Sequence, residues 1–302
     1  MLQLVCLKSY GDFVIALRSV QRLSQQHHGD LPELVAGTHL RALADALPVT
    51  STVRFVGDPA QTHVPAAYDL RRFGVAAALR SLIGLRQDLG GGGRSDIRLF
   101  DRVGWRERML AGGSQLRGLP AVPNIYLAYA HYFEGHGLVV SPSLPLRRQT
   151  GLKALVFPAS RVNRKVLPRD VINGALSQLR SLGYAAEVLL LEGEQVDLPP
   201  NALVNRQPRN FPSLVDAICG ADLVVSADSL PAHLGEFFGI PTFVISPQPN
   251  EYWLPEAAFA TRGWCTFNDA AGLSRWVHDH SAQNQFAPSR NAGNLTPEFR
   301  SS

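Results

Sequence analysis

The chain has 302 residues, 45% of them hydrophobic, and a formal net charge of +4 at pH 7, a composition typical of a globular protein with two domains. Its three cysteines, Cys6, Cys219 and Cys265, have no regular spacing, which excludes a disulfide framework and a cysteine-based metal site. Such cysteine usage suits a reducing compartment, so we expect a cytoplasmic protein. LQLVCL at the N-terminus lacks the basic region of a signal peptide, and no apolar run reaches the length of about 18 residues needed for a transmembrane helix.

The first 60 residues alternate between strand and helix patterns. LQLVCLK is a continuous apolar run, typical of a strand buried on both faces of a parallel sheet. After SYGD, apolar residues recur at helical spacing, at Val14, Leu17, Val20 and Leu23. ELVAGT and TVRFVG predict the next strands, with HLRALADAL as the helix between them. This alternation predicts a doubly wound α/β domain.

Gly11 and Asp12 follow the first predicted strand. Glycine permits a sharp turn, and an acidic residue at the start of a helix is a common cap. The same position would also hold a carboxylate at the carboxyl edge of the sheet, where it could take a proton from an attacking hydroxyl. From these residues alone, capping is the stronger interpretation of Asp12.

Residues 71–117 hold ten arginines and four acidic residues, a net charge of +6. They include two predicted helices, RRFGVAAALRSLIGLRQDL and RVGWRERMLA, separated by a GGGG loop and the predicted strand SDIRLF. Local positive charge suits an anionic partner such as a phosphorylated substrate, a membrane surface or nucleic acid. Because arginine outnumbers lysine 26 to 3 overall, a solvated arginine-rich face is an equal alternative. PNIYLAYAHYFEGHG fits either a helix or a strand.

SPSLPLRRQTG at 141–151 combines proline, serine and charge, and we predict a linker between domains at 1–145 and 146–302. A second alternating series follows. Its predicted strands are KALVFP, AAEVLLL, ADLVVS and PTFVIS, and its predicted helices are PRDVINGALSQLRSLG, FPSLVDAICG and LPAHLGEFFG. AAGLSRWVHDH predicts a closing helix, and a polar, poorly ordered tail is expected from about residue 282.

Ligands of such sheets bind beyond the carboxyl ends of the strands, so polar residues directly after each strand are candidates. Ser160 and Lys165 follow KALVFP, a pattern that suits a phosphate or a plain basic loop. Glu192 and Glu194 follow AAEVLLL and would bind sugar hydroxyls or form an ordinary acidic turn.

Asp228 and Ser229 follow ADLVVS, and either side chain can cap the next helix. The free amides and positive dipole end of that helix form an anion site. His233 lies one turn into the helix, although a lone histidine there is more often structural. The chain contains no P-loop, GxGxxG, CxxC, HExxH or GxSxG pattern, which excludes the commonest nucleotide hydrolases, dehydrogenases, zinc enzymes and serine hydrolases.

These segments together resemble the heptosyltransferase family of bacterial lipopolysaccharide glycosyltransferases, glycosyltransferase family 9. The resemblance is carried by LVCLKSYGDFVIALRSVQRL, VFPASRVNRKVLPRDVINGALSQLRSLG and FPSLVDAICGADLVVSADSLPAHLGEFFGIPTFVISPQPNEYWLP, and is loose over about 60–140. It implies a GT-B fold, in which an acceptor-binding and a donor-binding Rossmann-like domain face each other across a cleft. It also implies inverting, metal-independent transfer of a heptose or related sugar from an ADP-heptose-like donor.

By the same resemblance, Asp12 is the general base. The residues assigned to the donor are Ser160, Lys165, Glu192, Glu194, Asp228, Ser229 and His233. Those assigned to an anionic glycan or glycolipid acceptor are Gly11, Arg71 and Arg72. No metal and no cofactor beyond the donor is expected. The expected surroundings are the cytoplasm and the inner face of its membrane, without nucleic acid.

Three positions depart from the family pattern: Ala159 and Leu230 stand where the family has glycine, and the aromatic residue after the lysine is replaced in KVLP. Pro231 also removes a backbone donor. The bulk of Leu230 narrows the approach to a pyrophosphate, which bears on the donor more than on the fold. Two alternatives are a nucleotide-sugar-binding protein or envelope scaffold without transferase activity, and a nucleic-acid binder, for which no motif is present.

Overall fold

The computed structural model describes residues 1–23, 31–49, 51–91, 93–141, 152–269 and 271–285. These residues form two parallel sheets, one of five strands and one of six. The predicted linker, except for Ser141, and the predicted tail beyond residue 285 lie outside the described residues, as does the boundary at 145/146.

The N-terminal sheet has the strand order β3-β2-β1-β4-β5, with every pair parallel. Its strands are β1 (Leu2–Cys6), β2 (Glu33–Gly37), β3 (Val53–Val56), β4 (Ile97–Phe100) and β5 (Gln115–Gly118). Its helices are α1 (Tyr10–Gln21), α2 (Arg41–Asp45), α3 (Leu70–Leu89), α4 (Trp105–Ala111) and α5 (Ile125–Glu134). The predicted elements are confirmed, and the ambiguous aromatic segment is helix α5. β5 was missed because this edge strand is largely exposed and has no apolar run.

The C-terminal sheet has the order β11-β10-β9-β6-β7-β8, also all parallel. Its strands are β6 (Lys153–Phe157), β7 (Ala185–Leu191), β8 (Val204–Gln207), β9 (Leu223–Ala227), β10 (Thr242–Ser246) and β11 (Trp264–Thr266). Its helices are α6 (Arg169–Ser181), α7 (Phe211–Cys219), α8 (Leu230–Phe237), α9 (Glu256–Ala260) and α10 (Gly272–Gln285). This is the strand order of dinucleotide-binding folds. The short elements β8, β11 and α9 were not predicted.

Both sheets reverse their strand order at a central pair, β1 and β4 in one sheet and β6 and β9 in the other. The loops that leave such a pair diverge, and the crevice between them is where ligands of doubly wound sheets bind. The two crevices therefore determine where the candidate residues must be sought.

One hydrophobic core crosses from the first sheet to the second. Helix α1 packs on α8, and Phe13, Leu17 and Leu234 are fully buried in this core. The Asn124 side-chain amide adds a polar contact by donating to the carbonyl of Leu254 at 2.9 Å. Because these contacts join the domains along one helical layer, the carboxyl ends of both sheets open on the same space.

Arg98 explains part of the arginine richness of residues 71–117. It is 1% exposed, and its guanidinium donates to the carbonyls at the ends of α3 and α4, those of Leu89, Gly90, Leu110 and Ala111. The last carbonyls of a helix lack partners within the helix, and a cation there also complements the helix dipole. Arg98 is therefore structural. None of the helices in the described part of the chain is long and apolar enough to cross a membrane.

Candidate functional site

A cavity of about 680 Å³ lies between the domains and is lined by both. Eight of the predicted site residues line it: Gly11, Asp12, Ser160, Lys165, Glu194, Asp228, Ser229 and His233. Glu192, Arg71 and Arg72 are exposed and are absent from its lining, as far as the described residues extend. The structure thus brings together most of the assigned donor residues with the proposed base.

Asp12 enters the cavity from the first turn of α1. The cap of this helix is Ser9, whose hydroxyl oxygen accepts from the Asp12 backbone N–H at 3.3 Å. Asp12 is therefore not the N-cap residue itself, because it occupies the third helical position, but it lies in the first turn, where an acidic residue complements the helix dipole. The Ser-x-x-acid spacing of a capping box was the sequence signal for this arrangement.

The Asp12 carboxyl lies in surroundings that disfavour its charge. Burial raises its pKa above the ordinary value, and the nearby Asp101 carboxylate raises it further, while Ser9 and Lys8 act in the opposite direction. Lys8 neutralises Asp12 incompletely because its Nζ lies 3.2 Å from Asp101 and 3.3 Å from Glu107. A carboxylate with a raised pKa is a stronger base once it is ionised.

Asp101 and Glu107 lie behind Asp12, outside the lining of the cavity among the described residues, and the sequence reasoning missed both. They lie more than 90 residues from Lys8 in the chain, and the pairing of β1 with β4 brings them beside it. Polar residues after β4 could have been flagged by the same rule that flagged the others. Which residues become neighbours at the point where the strand order reverses, however, depends on that order, and the sequence alone does not specify it.

The C-terminal side of the cavity is organised around Lys165. Its Nζ lies 2.7 Å from Asp228 Oδ2, and the same oxygen accepts from the side-chain amide of Asn250 at 2.8 Å. Asp228 is 8% exposed, so its charge is buried beside the lysine that compensates it. Arg161 also lines the cavity on this side. This arrangement places a lysine oriented by Asp228, together with Arg161, at the cavity wall.

Ser229 and Asp228 do not cap α8 with their side chains, contrary to the prediction. Ser229 is the N-cap residue, but no cap hydrogen bond from a side chain is found in the described residues around it. Its hydroxyl instead donates to the carbonyls of Ala227, at 3.2 Å, and Ala159, at 3.4 Å. Pro231 contributes to this outcome, because it stands at the second helical position and has no N–H for a cap to bind.

His233 lies between the domains and is 6% exposed. Its Nδ1 is 3.2 Å from the Tyr126 hydroxyl of α5. Burial lowers the pKa of His233 to about 4, with Lys165 adding to this effect and Asp228 opposing it. Burial raises the pKa of Tyr126, so the phenol keeps its proton. A protonated phenol can donate to Nδ1 or accept from it, so either tautomer of the neutral imidazole satisfies this contact.

Gly11 has a packing reason to be glycine. A Cβ at this position would lie 3.3 Å from His233 Cδ2, closer than most carbon contacts. Glycine therefore lets the first turn of α1 approach α8 across the domain interface. The assignment of Gly11 to the acceptor remains a prediction.

Of the two candidate acids after β7, Glu194 lines the cavity. Its Oε2 accepts from the Leu191 backbone N–H at 2.9 Å, and Oε1 is 3.9 Å from an Arg209 nitrogen. Arg209 and Trp253 also line the cavity and were not among the predicted site residues. Trp253 also contacts the N-terminal domain, because the guanidinium of Arg102 lies over its ring, 5.1 Å from the ring centroid.

The chain matches no protein-family model and no curated protein. It is similar in fold to solved structures. A glycosyl transferase family 9 protein from Veillonella parvula aligns at TM-score 0.62 and 14% identity, over 94% of this chain and 97% of that one. E. coli heptosyltransferase WaaC with ADP aligns at a TM-score of 0.61 and 14% identity, over 94% of this chain and 100% of that one. E. coli ADP-heptose LPS heptosyltransferase II aligns at 0.55 and 13%, over the same shares. The predicted two-domain GT-B architecture is confirmed.

Proposed function

We propose that the protein is an inverting, metal-independent glycosyltransferase that moves a heptose or related sugar from a nucleotide-diphosphate donor to a glycan of the lipopolysaccharide type. One observation carries the proposal. A half-buried carboxylate, Asp12, lines the same interdomain cavity as Lys165 and the N-terminus of α8. Base and cations thus come from different domains, which suits a reaction between two substrates.

In the proposed reaction, an acceptor hydroxyl gives its proton to the Asp12 carboxylate. The oxygen forms a bond to the anomeric carbon as the bond from that carbon to the donor phosphate breaks. Attack opposite the leaving group inverts the anomeric centre. The raised pKa of Asp12 suits this role, because a base with a pKa nearer the working pH takes a proton more readily.

The leaving diphosphate gains negative charge, which Lys165 and the amide end of α8 stabilise. Asp228 orients Lys165 through their 2.7 Å contact. The volume of the cavity, about 680 Å³, lies within the range of small-molecule and cofactor sites. Structures of E. coli WaaC contain ADP or ADP-2-deoxy-2-fluoro heptose, so we expect an ADP-linked donor, with Leu230 and Ala159 modifying the choice.

Ligand binding tests this proposal first. Purified protein is heated with ADP, UDP, GDP and ADP-heptose, and a ligand at 100 times its Kd should add about 2.7 kcal/mol of stability. A nucleotide diphosphate and its sugar should raise the Tm, and uridine alone serves as the control. No shift with any of them would contradict the donor site.

Transfer is the second test, because a nucleotide-sugar-binding protein without activity would pass the first. Leu230 and Ala159, which stand where the pattern of the resembled family has glycine, motivate this alternative. Release of ADP from the donor, measured with a lipopolysaccharide-core acceptor and with EDTA present, supports an enzyme that needs no metal. Donor binding without release of the nucleotide supports the binding protein, and activity lost in EDTA and restored by a divalent ion contradicts metal independence.

A further inference from the structure

We propose that helices α3 and α4 form a surface that docks peripherally on an anionic lipid bilayer. This docking surface comprises Val75, Leu79, Ile83, Trp105 and Met109. These side chains are 68%, 42%, 54%, 52% and 37% exposed, respectively.

Helical spacing and packing place these five side chains together. The first three recur every four residues along α3, beyond a kink at Gly74, and so lie on one face. Ile83 and Met109 line one shallow cavity between the helices, and Trp105 lies one turn before Met109 on α4. Leu82 and Leu85, in contrast, are buried against the sheet. Helices α3 and α4 therefore pack one apolar face on the sheet and expose further apolar side chains on the opposite face, as membrane-surface helices do.

The charge around the apolar residues selects the partner. Helices α3 and α4 carry six arginines and two acids, and one of the acids, Glu107, is buried beside Lys8. A second copy of this chain would bring the arginines against one another. An anionic headgroup layer complements them, while the apolar side chains enter the acyl boundary.

The location of the surface suits the proposed function, on which this part of the argument rests. Helix α4 begins shortly after the carboxyl end of β4, the edge at which Asp101 lies close to Asp12. A lipid-anchored acceptor held on this face would therefore present its sugar near the cavity. The surface itself is independent of the reaction and can be tested without it.

Co-sedimentation of the purified full chain with vesicles tests the proposal. Binding is expected to vesicles of phosphatidylcholine with phosphatidylglycerol and to fall steeply with salt, while phosphatidylcholine alone binds weakly. Each arginine removed should weaken binding about fivefold, so Arg80→Gln with Arg86→Gln should cost roughly 25-fold. Leu79→Ser with Ile83→Ser should also lose binding, which a purely electrostatic attraction would not explain.

Matched controls lie on the other domain, where Leu203→Ser and Arg206→Gln replace exposed residues at β8. These controls should bind vesicles like the unchanged chain. The ADP-induced rise in Tm should persist in all variants, which separates failure of this surface from failure of the proposed function. The proposal is overturned if anionic vesicles do not bind, if the α3 variants bind normally, or if the same variants convert a dimer to a monomer.

Discussion

The two sides of the cavity place a lysine and a carboxylate at equivalent topological positions. In the N-terminal domain, Lys8 follows β1 and pairs with Asp101, which follows β4, the neighbouring strand. In the C-terminal domain, Lys165 follows β6 and pairs with Asp228, which follows its neighbour β9. Both pairs lie where the strand order of the sheet reverses.

The surroundings of the two pairs differ in charge. Lys8 contacts a second carboxylate, Glu107, and Asp12 lies close enough to be affected by Asp101, so this side has excess negative charge. On the other side the Asp228 carboxylate is shared with the neutral amide of Asn250, and Arg161 lines the same cavity. The comparison indicates how one topology can support the proposed base in one domain and the proposed diphosphate site in the other.

Removing the base should have the largest effect. We expect Asp12→Asn to reduce transfer about 10²- to 10⁴-fold, because the amide cannot accept the proton of the hydroxyl. Donor binding should persist, since the cations of the other domain are unchanged. Steady-state release of ADP measures the first effect and the ADP-induced rise in Tm the second. Full activity of this variant would remove Asp12 from the reaction.

Exchanging the lysines tests whether the two sides are functionally distinct. Lys165→Met should weaken ADP binding roughly 10- to 100-fold, because one charge-assisted hydrogen bond to phosphate is lost. Lys8→Met, at the equivalent position of the other sheet, should leave the ADP affinity unchanged. Calorimetric titration with ADP measures both. Equal losses in the two variants would show that the donor contacts both domains alike.

The buried neutral histidine makes the C-terminal side sensitive to acid. The pKa of His233 is about 4 in the folded protein, against an ordinary value of 6.5, so the unfolded chain binds more protons between these pH values. Stability is therefore fully present above about pH 6.5 and falls toward pH 4, by on the order of 3 kcal/mol. In urea unfolding, the free energy of unfolding of His233→Gln should fall less between pH 6.5 and pH 4 than that of the unchanged chain. The exposed control His131→Gln should lose as much as the unchanged chain. If the free energy of unfolding of His233→Gln falls with pH as steeply as that of the unchanged chain, burial of a neutral imidazole is contradicted.

The smallest expected effect concerns the negative neighbour of the base. Asp101→Asn removes a charge that raises the pKa of Asp12, so the acid limb of the pH–rate profile for transfer should move to lower pH. Asp197→Asn, at an exposed site in the other domain, should leave the profile in place. A merely structural role for Asp101 would lower the rate at every pH without moving the limb.

Local patterns were enough to predict most of the fold. Continuous apolar runs such as LQLVCLK and ADLVVS identify strands buried on both faces, and helical spacing identified α1. The elements that were missed, β5, β8, β11 and α9, are three to five residues long and lie at sheet edges or in connections. Too few residues in them alternate or repeat for a period to be recognised.

The candidate site residues that directly follow strands could also be predicted, because any polar residue there must lie at the carboxyl edge of a parallel sheet. This reasoning identified Asp12, Lys165, Asp228 and His233, which line one cavity in the folded chain. The hydrogen-bond partners around the site could not be predicted from the sequence. Ser229 turned its hydroxyl to backbone carbonyls, and Ser9 took the capping position expected of Asp12.

Tertiary structure decided the remaining features, and each depends on contacts between residues far apart in the chain. Arg98 counted as surface charge in the sequence and became a buried cap for two helices. Lys8 met Asp101 because β1 pairs with β4, and His233 met Tyr126 because α8 packs against the other domain. A periodic pattern specifies which face of a helix or strand is buried, since that depends on neighbours in sequence. Strand order and domain packing specify which charges meet, and these arise only when the whole chain has folded.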